Sequence, residues 1–118
     1  MRILSPRAHG YVDYLVVVWF LAGPNVFEFS GTAATIAYVL AGVHLLLTIA
    51  TNFPMGLLKL VPFPMHGLIE VGVAVLLFAL PWVAGFSGDA VAKNFYVGAG
   101  AGVLVVFLIT DYLAGYRR

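Results

Sequence analysis

The chain has 118 residues, of which 63% are hydrophobic and 9% are charged, and its formal net charge is +1. A soluble domain carries about 25% charged residues, so this composition excludes a globular domain with a water-facing surface and favours a protein that faces lipid. The small net charge gives no basic stripe for nucleic acid, and the absence of cysteine excludes disulfides and thiolate metal sites.

The first predicted helix covers residues 6–22. Ser5 followed by Pro6 is typical of a helix N-cap and a first helical position. Gly23 and Pro24 are expected to end or kink this helix, because proline removes a backbone donor. No small-residue cleavage site precedes Pro24, and the apolar run has a second copy later in the chain. We therefore interpret it as a retained membrane span, not as a signal peptide.

The second predicted helix covers residues 32–52 and ends before Phe53 and Pro54. Small residues recur along it at every fourth position, which places them on one face suited to close helix contact. These helix-packing residues are Ala33, Ala37 and Ala41.

The same unit then occurs a second time. Residues 9–31 and 66–88 agree at roughly ten of about 23 positions, including a His-Gly at the start and a Phe-Ser-Gly at the end. We therefore predict a tandem duplication within a single integral membrane domain. Repeat 1 covers residues 1 to about 56, and repeat 2 covers residues from about 57 to 118.

Repeat 2 is predicted to form a second hairpin of two helices. Its first helix covers residues 64–80 and is broken by Pro81, and its second covers residues 90–113. Gly98 and Gly102 lie four positions apart on the last helix and form a second small-residue face for helix packing. The predicted fold is thus all-α, a four-transmembrane-helix bundle built from two tandem two-helix repeats in parallel orientation.

Four spans place both chain termini on the same side of the membrane. Five of the six basic residues fall on that side, and only Lys93 falls on the other. The positive-inside rule therefore predicts that the N- and C-termini are cytoplasmic. The basic residues on the terminal side are Arg2, Arg7, Lys59, Arg117 and Arg118.

A short motif at the end of the third span points to a known family. Leu80-Pro81-Trp82, together with the His-Gly openings, resembles the SPW-repeat family of small bacterial integral membrane proteins. In that family the motif reads Ser-Pro-Trp near the outer end of the first of two spans per repeat. Here Leu80 replaces the Ser, and the first copy keeps only Pro24. The resemblance implies a two-plus-two helical fold in the bacterial inner membrane, and it implies no assigned activity.

Histidines and acids recur at the same spacing in both repeats. His9 and Asp13 are four residues apart, as are His66 and Glu70, so each pair lies on one face of its helix. Thr-Asn and Thr-Asp dipeptides occupy the matching ends of the second and fourth helices. If the bundle closes with pseudo-twofold symmetry, eight polar residues are expected to meet near the cytoplasmic face. They are His9, Asp13, His66, Glu70, Thr51, Asn52, Thr110 and Asp111.

Three hypotheses for this cluster remain open. In the first, the polar groups bond to one another and fix the register of the bundle, with no cofactor. In the second, the carboxylates form a proton or cation path. In the third, His9 and His66 ligate a haem axially, or combine with the two acids to hold a divalent metal. His44 has no copy in repeat 2 and is expected to bond to a neighbouring helix.

The sequence contains no evident set of nucleophile, base and orienting residue, so an independent enzyme is not expected. The preferred function is that of a non-enzymatic structural or accessory membrane protein. It would assemble in the lipid bilayer through its small-residue faces, as a homo-oligomer or as a subunit of a larger membrane complex. Transport of protons or cations is the alternative, and haem or metal binding is the second alternative.

Overall fold

The computed structural model describes residues 3–113, an elongated bundle measuring 50 × 26 × 21 Å. The all-α fold is confirmed, with α1 and α2 packed as one hairpin and α3 and α4 as a second. Two very short strands connect the hairpins at one end. The elements in chain order are α1 (Pro6–Val26), α2 (Gly31–Ala50), β1 (Thr51–Asn52), β2 (Val61–Pro62), α3 (Phe63–Val83) and α4 (Ala90–Ile109).

Three of the four helices are long and apolar enough to cross a membrane, namely α2, α3 and α4. The expectation that all four helices meet this condition is wrong for α1. Helix α1 has 21 residues, so its length is sufficient. Its composition, not its length, excludes α1 from the set, because Arg7, His9 and Asp13 occupy its first turns and lower its mean hydropathy.

The two internal prolines do not end their helices. Pro24 lies inside α1 and Pro81 lies inside α3, so both helices run further than predicted. A proline removes only its own backbone donor, and the following residues still find helical acceptors. Phe27 N–H donates to the Gly23 carbonyl at 2.9 Å, and in α3 the corresponding bond from Ala84 is 2.8 Å long.

Helices α2 and α4 end earlier than predicted, because Thr51 and Thr110 have extended backbones. Thr51 then pairs in parallel with Val61, and Thr110 pairs in parallel with Leu4. In each repeat, therefore, the residue that follows the second helix pairs with the segment that leads into the first helix of the other repeat. Tyr112 lies beyond α4 and is buried. Of the basic residues predicted on the terminal side, Arg2, Arg117 and Arg118 lie outside the described residues.

The two small-residue faces have different surroundings. The alanines of α2 face the interior of the bundle, where Tyr96 of α4 donates a hydrogen bond to the Ala33 carbonyl at 2.6 Å. On α4 the glycine that contacts another helix is Gly100, since a Cβ there would lie 3.1 Å from the Ala74 carbonyl oxygen. Gly98 and Gly102 are exposed on the outer surface. The buried alanines are Ala33, Ala37 and Ala41.

Candidate metal centre

Four ionisable side chains meet between α1 and α3, close to the end of the bundle that carries the short strands. His9 and Asp13 come from α1, and His66 and Glu70 come from α3. None of the four is more than 2% exposed. The four-residue spacing within each helix points both side chains toward the facing helix, as the sequence pattern predicts.

Both imidazoles direct Nε2 at both carboxylates. His9 Nε2 lies 3.1 Å from Asp13 Oδ1 and 3.2 Å from Glu70 Oε1. His66 Nε2 lies 3.0 Å from Asp13 Oδ2 and 2.9 Å from Glu70 Oε1. One ligand atom from each of the four residues lies within 4.8 Å of all the others. Two nitrogen and two oxygen donors therefore converge on one point.

Two threonines fix the other side of each imidazole ring. Thr51 Oγ1 donates to the Leu47 carbonyl at 2.6 Å and lies 2.7 Å from His66 Nδ1. Thr110 Oγ1 likewise donates to a carbonyl of its own helix and lies 2.9 Å from His9 Nδ1. A hydroxyl has one proton to donate, so each threonine must accept a hydrogen bond from His Nδ1–H. This assignment of the protons leaves Nε2 as the coordinating atom of both histidines.

The short strands place these threonines. The Leu4–Thr110 bridge lies just before α1, and the Thr51–Val61 pair lies just before α3. In both cases the histidine follows five residues after the paired residue, one helical turn into its helix. The site is therefore built across the repeats, because each histidine bonds to a threonine of the other repeat.

Two further residues contact the acids, and sequence reasoning did not include either in the cluster. Tyr112 Oη donates to Glu70 Oε2 at 3.2 Å, and His44 Nε2 lies 3.5 Å from Asp13 Oδ1. Burial raises the pKa of Tyr112, and the Glu70 carboxylate raises it further, so the phenol remains a donor. Tyr112 was missed because α4 was predicted to continue to residue 113, and His44 was set apart because it has no copy in repeat 2.

Aromatic side chains cover the centre at the end of the bundle. Phe53, Phe63 and Tyr112 form a cluster there, and the Phe63 ring centroid lies 5.2 Å from that of His9. The glycine of each His-Gly pair makes room for this cover. A Cβ at Gly67 would lie 2.9 Å from the Tyr112 ring, and one at Gly10 would overlap the Met55 side chain.

Two of the eight predicted residues lie outside the cluster. Asn52 is exposed, and Asp111 is half-buried with Oδ1 accepting a hydrogen bond from Leu113 N–H at 3.2 Å. Both follow a threonine at which the helix has already ended. In extended backbone, successive side chains point to opposite sides, so these two residues turn away from their threonines.

The separations between the donor atoms suit a metal ion. Two ligands at about 2.1 Å from a cation are about 3.0 to 3.4 Å apart in octahedral or tetrahedral geometry. The nitrogen–oxygen separations of the site, 2.9 to 3.2 Å, lie close to this range and also within that of ordinary N–H···O hydrogen bonds. A haem is not supported, because both Nε2 atoms contact the same carboxylates and leave no gap between the histidines for a porphyrin.

One comparison with known proteins gives a result. The family model described as SPW repeat domain matches residues 7–110, which includes both hairpins and all four converging side chains. No curated protein and no solved structure matches the chain.

Proposed function

The chain belongs to the SPW repeat family, and we propose that this small membrane protein binds a divalent transition-metal ion between its two hairpins. The ligands are His9, Asp13, His66 and Glu70. In this function the ion joins α1 to α3 and thereby holds the two repeats together. The protein would be non-enzymatic, with a structural or accessory role that depends on the bound metal.

The observation that carries this proposal is the convergence of two imidazole nitrogens whose other ring nitrogens are already bonded. A neutral histidine that donates from Nδ1 presents a lone pair at Nε2. In this site both Nε2 atoms point at carboxylate oxygens, a contact that is stabilised by a metal ion between them or by a proton on Nε2. Asp13 Oδ2 adds to this, because it makes no hydrogen bond of acceptable geometry among the described residues.

Charge balance in the site is met either by a divalent ion or by two protonated histidines. Asp13 and Glu70 together carry two negative charges, and among the described residues all their ion-pair partners are histidines. Two buried carboxylates are costly unless a matching positive charge accompanies them. Imidazole donors suit zinc, copper, iron and nickel, whereas carboxylates alone would suit magnesium or calcium. A mixed nitrogen and oxygen set therefore favours a first-row transition metal.

The test is a metal count on protein purified in mild detergent without chelator. We expect about one transition-metal ion per chain, because the described part of the chain has one converging site. In a double variant, Asp13→Asn with Glu70→Gln, this metal should be lost, because two of the four ligands lose their charge.

Glu28→Gln is the matched control. Glu28 is an exposed carboxylate at the opposite end of the bundle, so its loss should leave the metal content unchanged. Wild-type protein that is metal-free and does not take up Zn²⁺, Co²⁺, Mn²⁺ or Fe²⁺ after chelator is removed would overturn the proposal.

Assembly through a small-residue face is a second candidate, and one observation favours it. Gly98 and Gly102 are exposed, and a Cβ at either position would meet nothing within 4 Å. They line an open groove of about 290 Å³ between α1 and α4, together with Trp19. The alanine face of α2 is buried inside the bundle, so the assembly hypothesis is now restricted to this glycine face.

The orientation and the membrane are also proposals. Arg7 and Lys59 lie at the end of the bundle with the metal centre, and Lys93 lies near the other end. From the positive-inside rule we propose that the centre and both termini face the cytoplasm. The membrane proposed is a bacterial inner membrane. Transport remains an untested alternative. Beyond His44, the adjacent cavity is lined mainly by apolar side chains, which do not continue a polar path.

A further inference from the structure

His44 carries a polar atom whose role the four-ligand centre does not explain. It lies on α2, its side chain is 9% exposed, and Nε2 makes no hydrogen bond of acceptable geometry within residues 3–113. The nearest acidic atom is Asp13 Oδ1, at 3.5 Å. That separation exceeds a normal hydrogen bond between nitrogen and oxygen.

Within residues 3–113, the surroundings of His44 offer no other polar partner for Nε2. The ring borders a small cavity of about 50 Å³ whose other lining side chains are all apolar, among them Val16, Phe20 and Leu77. A buried polar atom without a partner is costly, and in a membrane bundle water does not compensate. The polar groups nearest to Nε2 lie on the side of Asp13, where the other donors converge.

The position of His44 breaks the symmetry of the two hairpins. It lies seven residues before Thr51, and the residue seven before Thr110 in the other hairpin is Val103. Both residues are buried in the same bundle. A valine is therefore sufficient for helix packing at this depth. The histidine therefore adds something that packing does not require.

We infer that His44 is a third imidazole ligand of the proposed metal ion, reaching it over the Asp13 side of the centre. This inference rests on the proposed function. The complete donor set is then three histidine nitrogens and two carboxylates, drawn from α1, α2 and α3. His44 is not among the four residues whose ligand atoms lie within 4.8 Å of one another, so its ring must move toward the ion on binding. Such a set selects ions that prefer imidazole, such as Zn²⁺, Cu²⁺, Ni²⁺ and Co²⁺, over Mn²⁺, Mg²⁺ and Ca²⁺.

The inference is tested by counting imidazoles on a bound Cu²⁺ ion. Purified protein is stripped with chelator, loaded with one equivalent of Cu²⁺ and measured by pulsed electron paramagnetic resonance, in which the remote ring nitrogen reports each coordinated histidine. We expect three imidazoles in the wild type and two in His44→Val. Valine is chosen because Val103 occupies the corresponding position of α4. Zn²⁺ affinity should fall by about 10-fold or more in this variant, a loss at least as large as that from a residue one shell further out.

Thr48→Val is the control, because Thr48 is buried one turn from His44 and its hydroxyl bonds only to the His44 carbonyl in the described structure. It should retain three imidazoles. His44→Gln, which keeps a polar side chain, should show two and guards against misfolding of the valine variant. Two imidazoles in the wild type would overturn the role of His44 and leave the four-ligand centre in place. A wild type that binds no Cu²⁺ would overturn both.

Discussion

The two hairpins are alike where they hold the histidines and unlike where they contact the acids. His9 and His66 each bond through Nδ1 to a threonine at 2.9 Å and 2.7 Å, and each directs Nε2 at the same two carboxylates. The outer partners of the acids differ, because Asp13 faces a histidine and Glu70 faces a tyrosine. The histidines and their threonines thus follow the symmetry of the two hairpins. The outer partners of the two acids do not.

This difference separates the features that the two hairpins share from those that only one hairpin has. A pair of identical hairpins brings two equivalent donors to one axis without further change, which is sufficient for the histidines and their threonines. The unequal partners, His44 and Tyr112, lie on opposite sides of the acids, toward the bundle interior and toward its end. The predictions below test whether the equivalent residues have equal effects and the unequal residues do not.

The largest effect is expected from removing either histidine of the symmetric pair. His9→Asn and His66→Asn should each lower Zn²⁺ affinity by more than about 100-fold, since the loss of a ligand exceeds that of an outer-shell partner. The two losses should agree closely, because the two imidazoles have equivalent positions. Affinity is measured by competition with a zinc dye in detergent. A large loss in only one variant would contradict a centre shared equally by the two repeats.

The threonine pair should have the next largest effect. Thr51→Val and Thr110→Val remove the acceptor for His Nδ1–H and leave the imidazole in place. We expect each to lower Zn²⁺ affinity by about 10- to 100-fold, the range typical of partners that orient a ligand. Thr35→Val is the control, because Thr35 is exposed and bonds only to the Gly31 carbonyl in the described part of the chain. Unchanged affinity in both threonine variants would refute the assigned tautomer.

Much of this arrangement could be predicted from the sequence, because repetition and helical spacing carry it. The four-residue intervals place His9 and Asp13 on one helix face, and the second copy does the same for His66 and Glu70. The threonines were found because they end corresponding helices. His44 could not be assigned to the centre, because it has no copy and its contact with Asp13 depends on the rotation of α2 against α1. The positions of Asn52, which is exposed, and Asp111, which is half-buried, could not be predicted, because they depend on the early change to extended backbone at the preceding threonine.

Tyr112 should have a smaller effect, confined to one side of the centre. Tyr112→Phe removes the hydrogen bond to Glu70 Oε2 and leaves the ring packing, so we expect a loss of about 10-fold in Zn²⁺ affinity. Because burial raises the pKa of Tyr112 above its usual value of about 10, its phenol should stay protonated in folded protein at pH 10. Tyr14→Phe, which loses a bond to the Met55 carbonyl instead, should leave affinity unchanged. Equal losses in both variants would point to general loosening of the bundle.

The smallest effect on Zn²⁺ affinity is expected from substituting the exposed glycines of α4. These substitutions test the assembly hypothesis instead. Gly98→Leu with Gly102→Leu should abolish self-association in mild detergent if this face joins two chains, because close helix approach requires small residues. The hairpins again supply the control, since Val39 and Val43 occupy the corresponding positions of α2, counted from the helix end, and are 59% and 57% exposed. Their replacement by Leu should leave the oligomer intact. Zn²⁺ affinity should be unchanged in the glycine double variant, because Gly98 and Gly102 lie on the outer surface of α4, away from the ligands. An assembly that persists in the glycine double variant would contradict the assembly hypothesis without affecting the metal centre, because the two proposals rest on different faces of the bundle.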